Sequence, residues 1–230
     1  MGYIAVLGTG DATEIVADTP LPTPLRTLDR SPKSVLLPVP GAVFPTNSQD
    51  RILCESAYLD AGLQAEASGA TALYINTVGD YGLTALRAAA KIPVAGSGSG
   101  SIRAALADAE RFAFITLWPP AMRFIYNAIL EETDTTEQCV ELIHLSDNSL
   151  LEDPLGPREA MSHMQACGLT TVHTVVDAIE SVRARYPSCA MILGCTCMYP
   201  LAPRLAEMGL PVIDPMLAGY EQLLADLEAA

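Results

Sequence analysis

The sequence predicts an α/β protein of two pseudo-symmetric, doubly wound half-domains with a cleft between them. Three observations predict it. The first is Gly194-Cys195-Thr196-Cys197-Met198-Tyr199-Pro200, which follows the apolar run Cys189-Ala190-Met191-Ile192-Leu193 and precedes helical spacing from Leu201 to Gly209. A short apolar run bounded by turn residues reads as a buried strand, and a periodic stretch ending on glycine reads as a helix. The second is a partial echo. Tyr74-Ile75-Asn76-Thr77-Val78-Gly79-Asp80 closes another apolar run, and a helical stretch from Tyr81 to Lys91 follows. The third is spacing. Ile92-Pro93-Val94 lies as far beyond Thr77 as Leu210-Pro211-Val212 lies beyond Cys195, and each Pro-containing strand leads into a further helix. Self-similarity at fixed spacing signals repeated units, which makes Thr77 and Cys195 equivalent strand-end residues. Ligands of open α/β sheets bind beyond the carboxyl ends of strands. The halves are expected over residues 1–108 and 109–230, with the C-terminal helix a candidate to pack on the first.

Taken in order, Tyr3 to Leu7 reads as a first strand and Gly8-Thr9-Gly10-Asp11-Ala12-Thr13 as the turn after it. That turn lacks the spacing of a dinucleotide or P-loop fingerprint. Thr19 to Pro32 carries Pro20, Pro22, Pro24 and Pro32, which excludes a continuous helix and predicts an extended surface segment. Ser34 to Val39 is a second strand. Residues 40–48 form a loop, and Ser48-Gln49-Asp50 is a cap for a helix from Arg51 to about Ser68. Thr71 to Thr77 is the third strand. Ala95-Gly96-Ser97-Gly98-Ser99-Gly100-Ser101 reads as a flexible glycine-rich turn, suited either to cradling an anion ahead of a helix or to plain turn and cap duty. Arg111 to Leu117 opens the second half as a strand, with Thr116 at its carboxyl end and Trp118-Pro119-Pro120 after it. The single tryptophan is a candidate apolar wall for a ligand. A helix over Met122–Glu131, a strand over Val140–Leu145 and helices over Thr174–Ala184 and Tyr220–Leu227 complete the order.

Composition narrows the function. Half of the 230 residues are apolar, enough to bury a sizeable core. No apolar run reaches the 18 residues of a membrane span, and the N-terminus lacks a signal-peptide pattern, so a cytoplasmic protein is expected. A formal charge of −14 argues against nucleic acid. The six cysteines need not be disulfides in a reducing compartment. Cys195 and Cys197 are too close in sequence for a zinc hairpin, and His144, His163 and His173 have no metal-ligand spacing; all three are expected to be structural or surface residues. At a strand-to-helix handover, Cys195 would meet unpaired backbone N–H groups that favour a thiolate. The alternative is a small buried hydrophobe.

The stretch Gly194 to Leu201 resembles the second catalytic motif of the aspartate/glutamate/hydantoin racemase superfamily. It is similar to the Gly-Cys-Thr-His-Tyr-Pro form of glutamate racemases, with Cys197 near the place of their histidine. Met198 and Pro211-Val212-Ile213-Asp214-Pro215 are closer to hydantoin racemases. Asn76-Thr77-Val78-Gly79-Asp80-Tyr81-Gly82-Leu83 resembles their first motif, Cys-Phe-(Gly or Ser)-Asp-Pro-Gly-Leu. The likeness runs from about Ser34 onward. It implies a cofactor-independent racemase or isomerase working at a carbon next to a carbonyl. The substrate would be a carboxylate or hydantoin-like small molecule, and a homo-oligomer is expected. Cys195 would be the acid–base residue and Thr77 its catalytic partner, helping to hold the developing oxyanion, with Thr9, Asn76, Val78, Gly79, Thr116, Trp118, Thr196 and Cys197 around the substrate.

One departure bears on the chemistry. Family racemases use two cysteines, one for each face of the substrate carbon, and here the first position is Thr77. A hydroxyl is a far poorer base than a thiol, though it still hydrogen-bonds. A lone second cysteine beside hydroxyl residues resembles arylmalonate decarboxylase, which makes decarboxylation an alternative. Two others are hydrolysis of a hydantoin-like ring with Cys195 as nucleophile, and a non-catalytic small-molecule binder.

Overall fold

The computed structural model describes residues 2–8, 20–28 and 33–229. The chain divides into two compact units, Met1–Gly100 with Met216–Ala230, and Ser101–Pro215. In the first, β1 (Tyr3–Gly8), β2 (Ser34–Leu37), β3 (Ala70–Asn76) and β4 (Val94–Gly96) form a parallel sheet in the order β2-β1-β3-β4. Five consecutive residues of β1 and five of β3 are buried, as parallel strands covered on both faces require. Gly8 lies opposite Asn76, so the carboxyl ends of the two central strands are neighbours.

The first helix, α1 (Thr23–Leu28), corrects an expectation, because the Pro-rich segment was read as extended. Pro24 stands in its first turn, where a missing N–H costs nothing, and Leu25 is fully buried. The long helix α2 (Ser48–Ala67) is capped by Asn47 rather than by Ser48 to Asp50: Asn47 Oδ1 accepts from the N–H groups of Gln49 and Asp50. Such a cap contributes about 1 kcal/mol. A short α3 (Leu83–Ala89) follows β3, and α4 (Ser97–Asp108) follows β4 without a break. The glycine-rich stretch is therefore no flexible turn. It is the end of a strand and the first turn of a helix, with Ser97 and Ser101 buried.

The second unit holds β5 (Phe112–Thr116), β6 (Cys139–His144) and β7 (Ala190–Leu193), parallel in the order β6-β5-β7. Its helices are α5 (Arg123–Glu132), α6 (Gly156–Ala166), α7 (Leu169–Arg185) and α8 (Leu201–Glu207). A short 3-10 turn over Pro120–Met122 leads into α5. The α7 helix begins five residues before the expected Thr174, so His173 lies within it.

The internal echo is present in the topology. Ile213 makes a single parallel bridge to Ile192 beside β7, where β4 pairs with β3. Tyr74 is the partner of Ala95, and Ile192 of Ile213. Thr77 lies three residues beyond Tyr74, and Cys195 three beyond Ile192. Each therefore holds the same place relative to its own sheet.

The last helix, α9 (Pro215–Ala229), belongs to the first unit from Met216 on. The Tyr74 hydroxyl donates to the Met216 carbonyl at 2.7 Å, and the Tyr74 and Tyr220 rings meet edge to face at 5.4 Å. Gly100 lets α4 approach closely: a Cβ there would lie 2.4 Å from Gly219 Cα.

Candidate active site

At the carboxyl end of β3, Asn76, Thr77, Val78 and Gly79 are consecutive and buried. Three anchors hold the turn they form. Inside it, Gly79 N–H donates to Thr77 Oγ1 at 3.3 Å and Asp80 N–H to the Thr77 carbonyl at 3.1 Å. Buried Arg51 on α2 donates to the Gly79 carbonyl at 2.9 Å, pairs with Glu55 at 2.9 Å and stacks on the Tyr81 ring at 5.5 Å. Third, Asp80 sends its carboxylate to the start of α4, accepting from Gly98 N–H at 2.8 Å and Ser99 N–H at 2.7 Å. It stands at φ 43°, a left-handed conformation that Asp and Asn tolerate better than other side chains. A Cβ at position 96 would lie 2.3 Å from Asp80 Oδ1, so glycine is required there. The N–H groups that could cradle an outside anion are thus filled by the chain's own carboxylate. Burial pushes the Asp80 carboxyl up to about 6, against the opposing pull of those N–H bonds.

The second unit gathers the other named residues at the neighbouring ends of β5 and β7. Gly194 N–H donates to the Ile115 carbonyl at 2.7 Å, fastening the end of β7 to β5. Thr116 is fully buried. Its Oγ1 accepts from Trp118 N–H at 3.2 Å and lies 2.5 Å from the Tyr126 hydroxyl oxygen. That hydroxyl, on α5, donates its one proton to the Gly194 carbonyl at 2.6 Å and accepts from the Thr116 O–H. The Thr116 O–H is thereby spent on the Tyr126 oxygen, because a phenol carries one proton and a carbonyl can only accept. The Trp118 carbonyl faces His144 Nδ1 at 2.8 Å. A carbonyl can only accept, so that nitrogen carries the proton, and burial lowers the His144 pKa. The imidazole is therefore a neutral support for the Trp118 backbone.

Cys195 has extended backbone (φ −146°, ψ 137°) and precedes a 3-10 turn over Thr196–Met198. Its residue exposure is 9%. The Cys195 sulfur accepts from Cys197 N–H at 3.3 Å, and its carbonyl accepts from Met198 N–H at 3.0 Å. Thr196 and Cys197 are buried within the turn. Burial, reinforced by contact with Cys195, pushes the Cys197 thiol well above its ordinary range. Thr9 lies outside the described residues. Asp80, Arg51 and Tyr126 were given no role from sequence. Asp80 stood within a quoted motif, but nothing local indicated its partner, and Tyr126 reads only as the apolar face of a helix.

Each of the two parallel α/β units thus carries a hydroxyl or thiol side chain just beyond the end of a strand, Thr77 after β3 and Cys195 after β7. The family follows from comparison: residues 27–223 match the Asp/Glu/Hydantoin racemase model, and the chain belongs to that family. A hydantoin racemase from Rhizobium meliloti is 30% identical over 169 residues, which cover 72% of this chain and 64% of that protein. An allantoin racemase structure from Klebsiella pneumoniae superposes with a TM-score of 0.71 at 20% identity, covering 100% of this chain and 89% of that one. The structure of arylmalonate decarboxylase gives 0.60 at 15% identity, with 97% and 91% covered. At such identities the two structures speak for the fold alone. Among the described residues no helix is long and apolar enough to cross a membrane.

Proposed function

We propose that the protein is a cofactor-independent racemase acting at a carbon next to a carbonyl of a hydantoin- or amino-acid-like substrate, with Cys195 as its acid–base residue. The observation that carries this reading is the setting of Cys195. It follows the tip of β7, with extended backbone, and a backbone N–H is aimed at its sulfur. A thiolate in that setting gains a donor. It can take the acidic proton next to the carbonyl and leave an enolate, whose oxygen needs donors. Family membership and the hydantoin racemase relative support the substrate class.

Thr77 favours a second reading, a lone-cysteine decarboxylase. Its hydroxyl holds the strand position equivalent to Cys195 and cannot exchange a proton as a thiolate does. In that reaction a malonate-type substrate releases carbon dioxide, and the Cys195 thiol protonates the resulting enediolate.

A single experiment separates the two. A 5-substituted hydantoin and an aryl malonate are each incubated with the protein in heavy water, followed by polarimetry, proton NMR and carbon dioxide release. Loss of rotation with deuterium entering the hydantoin supports the racemase. Carbon dioxide from the malonate alone supports the lyase. Cys195→Ala should lower either rate at least about a hundredfold, the lower range for a general acid–base group. An active Cys195→Ala protein would end both readings.

A further inference from the structure

Of the anchors on the Thr77 turn, Arg51 comes from another element and acts on the peptide that closes it. Its side chain is 8% exposed. Two nitrogens of its planar fork have different partners: Nη1 donates to the Gly79 carbonyl and Nε to Glu55 Oε1, each at 2.9 Å. The face of the fork lies over the Tyr81 ring, and Tyr81 packs on Tyr58 with 5.8 Å between ring centres. Tyr58 is itself fixed, because its hydroxyl donates to the Gly8 carbonyl at the end of β1 at 3.0 Å. A guanidinium bonded at two nitrogens and stacked on a ring keeps little freedom, and a lysine could not match it.

The Gly79 carbonyl and the Asp80 N–H belong to one peptide group. Arg51 holds the oxygen of that peptide, and its N–H donates back to the Thr77 carbonyl at 3.1 Å. A cation on the oxygen polarises the peptide and strengthens the bond its N–H makes. With this peptide fixed, Gly79 N–H lies 3.3 Å from Thr77 Oγ1. The Thr77 oxygen therefore accepts within the turn, and its hydrogen has no acceptor among the described residues. Thr77 is 7% exposed. A buried hydroxyl hydrogen without an acceptor costs free energy, which a ligand oxygen relieves.

We propose that Arg51 is a positioning residue: by fixing the Gly79–Asp80 peptide it holds the Thr77 hydroxyl as a hydrogen-bond donor to the enolate or enediolate oxygen of the substrate. This role rests on the reading of position 77 as part of the active site. The tie from Arg51 to the turn is a property of the resting protein and is measured without substrate.

Amide hydrogen exchange read by NMR on the full chain tests the tie. In Arg51→Met, which keeps an unbranched stem and removes the donors, the Asp80 amide should exchange at least about tenfold faster than in the unmodified protein. The Leu73 amide, which donates to the Pro93 carbonyl at 2.9 Å from the same strand β3, should be unchanged. A general loosening speeds both amides and would overturn the proposal, as would an unchanged Asp80 rate. Glu55→Gln breaks the ion pair and leaves the bond to the Gly79 carbonyl, so its Asp80 rate should stay within about twofold; acceleration equal to that of Arg51→Met would overturn the role of the carbonyl bond. If Arg51→Met does not fold, the unmodified chain decides: its Asp80 amide should be protected within about tenfold of Leu73, and exchange at the rate of an exposed turn would overturn the proposal. The functional half is a double-mutant cycle on whichever of a 5-substituted hydantoin and an aryl malonate is turned over. Arg51→Met should lower kcat about tenfold with Thr77 present, the scale of one hydrogen bond to a charged group. In the Thr77→Val background, where no hydroxyl remains to be positioned, it should cost less than about twofold. A packing role costs the same in both backgrounds, and that result would overturn the proposal. If neither substrate is turned over, the functional reading fails, and the exchange rates still decide whether Arg51 holds the turn.

Discussion

Replacing Asp80 by Asn should remove a pH dependence that its buried carboxyl imposes on the fold. Asn keeps the shape and tolerates the left-handed φ of 43° at this position, so the backbone need not change. The folded protein holds the Asp80 proton up to about pH 6, against an ordinary value of 3.8. A carboxyl whose pKa is raised on folding contributes its full stability below the unfolded value and loses it as pH rises through the folded one. At about 1.4 kcal/mol per pH unit across that window, ionisation costs the fold on the order of 3 kcal/mol. The amide carries no charge, so it escapes this cost. It accepts only one of the two N–H groups, from Gly98 or Ser99, and sets its own N–H₂ against the other, which costs about 1–3 kcal/mol at every pH. The Asn variant should therefore be the less stable protein at pH 4 and close to wild type at pH 7. Urea unfolding of both proteins at steps from pH 3.5 to 7.5 measures this, and the difference cancels every other titrating group. A difference that stays constant within about 0.5 kcal/mol across the range would refute the assignment of a neutral, buried Asp80 below pH 6.

Three further substitutions test the site and its supports. Thr77→Cys should raise racemisation of a 5-substituted hydantoin relative to the natural chain by about tenfold or more, because a thiol exchanges a proton far more readily than a hydroxyl; an unchanged rate of rotation loss counts against a role for position 77. Tyr126→Phe removes the donor to the buried Gly194 carbonyl and the acceptor of the Thr116 O–H. It should cost about 1–3 kcal/mol in urea unfolding, with an unchanged denaturant slope. Gly100→Ala places a Cβ 2.4 Å from the Gly219 backbone and should destabilise by about 1–3 kcal/mol or more. Gly168→Ala, which meets nothing within 4 Å, is the matched control and should unfold within about 0.5 kcal/mol of the parent.

The alternation of apolar runs with punctuating Gly and Pro is a local property, and it reports on local structure. It identified the strands over Tyr74 and Ile192 and the Pro-led strand segments that follow each. Because the two copies keep the same spacing, it also predicted that Thr77 and Cys195 end equivalent strands, and the pairs Tyr74 with Ala95 and Ile192 with Ile213 agree with this. The same local logic failed where a residue's partner is distant. Four prolines between Thr19 and Pro32 suggested extended chain, yet a proline in a first helical turn costs nothing and burial of Leu25 makes α1 worthwhile. The glycines of residues 95–101 suggested flexibility, yet Asp80 and Gly219 press against them and demand the missing side chains.

By itself the sequence determined the fold class, the repeat and the family, because each is written in residue types at fixed intervals along the chain. Tertiary structure decided which groups those residues meet. Asp80 finds the first turn of α4 only once β4 lies beside β3, and Tyr126 reaches Thr116 and Gly194 only once β5 lies beside β7. Hydrogen bonds act over about 3 Å in space and take no account of separation along the chain, so no reading of intervals could have found them.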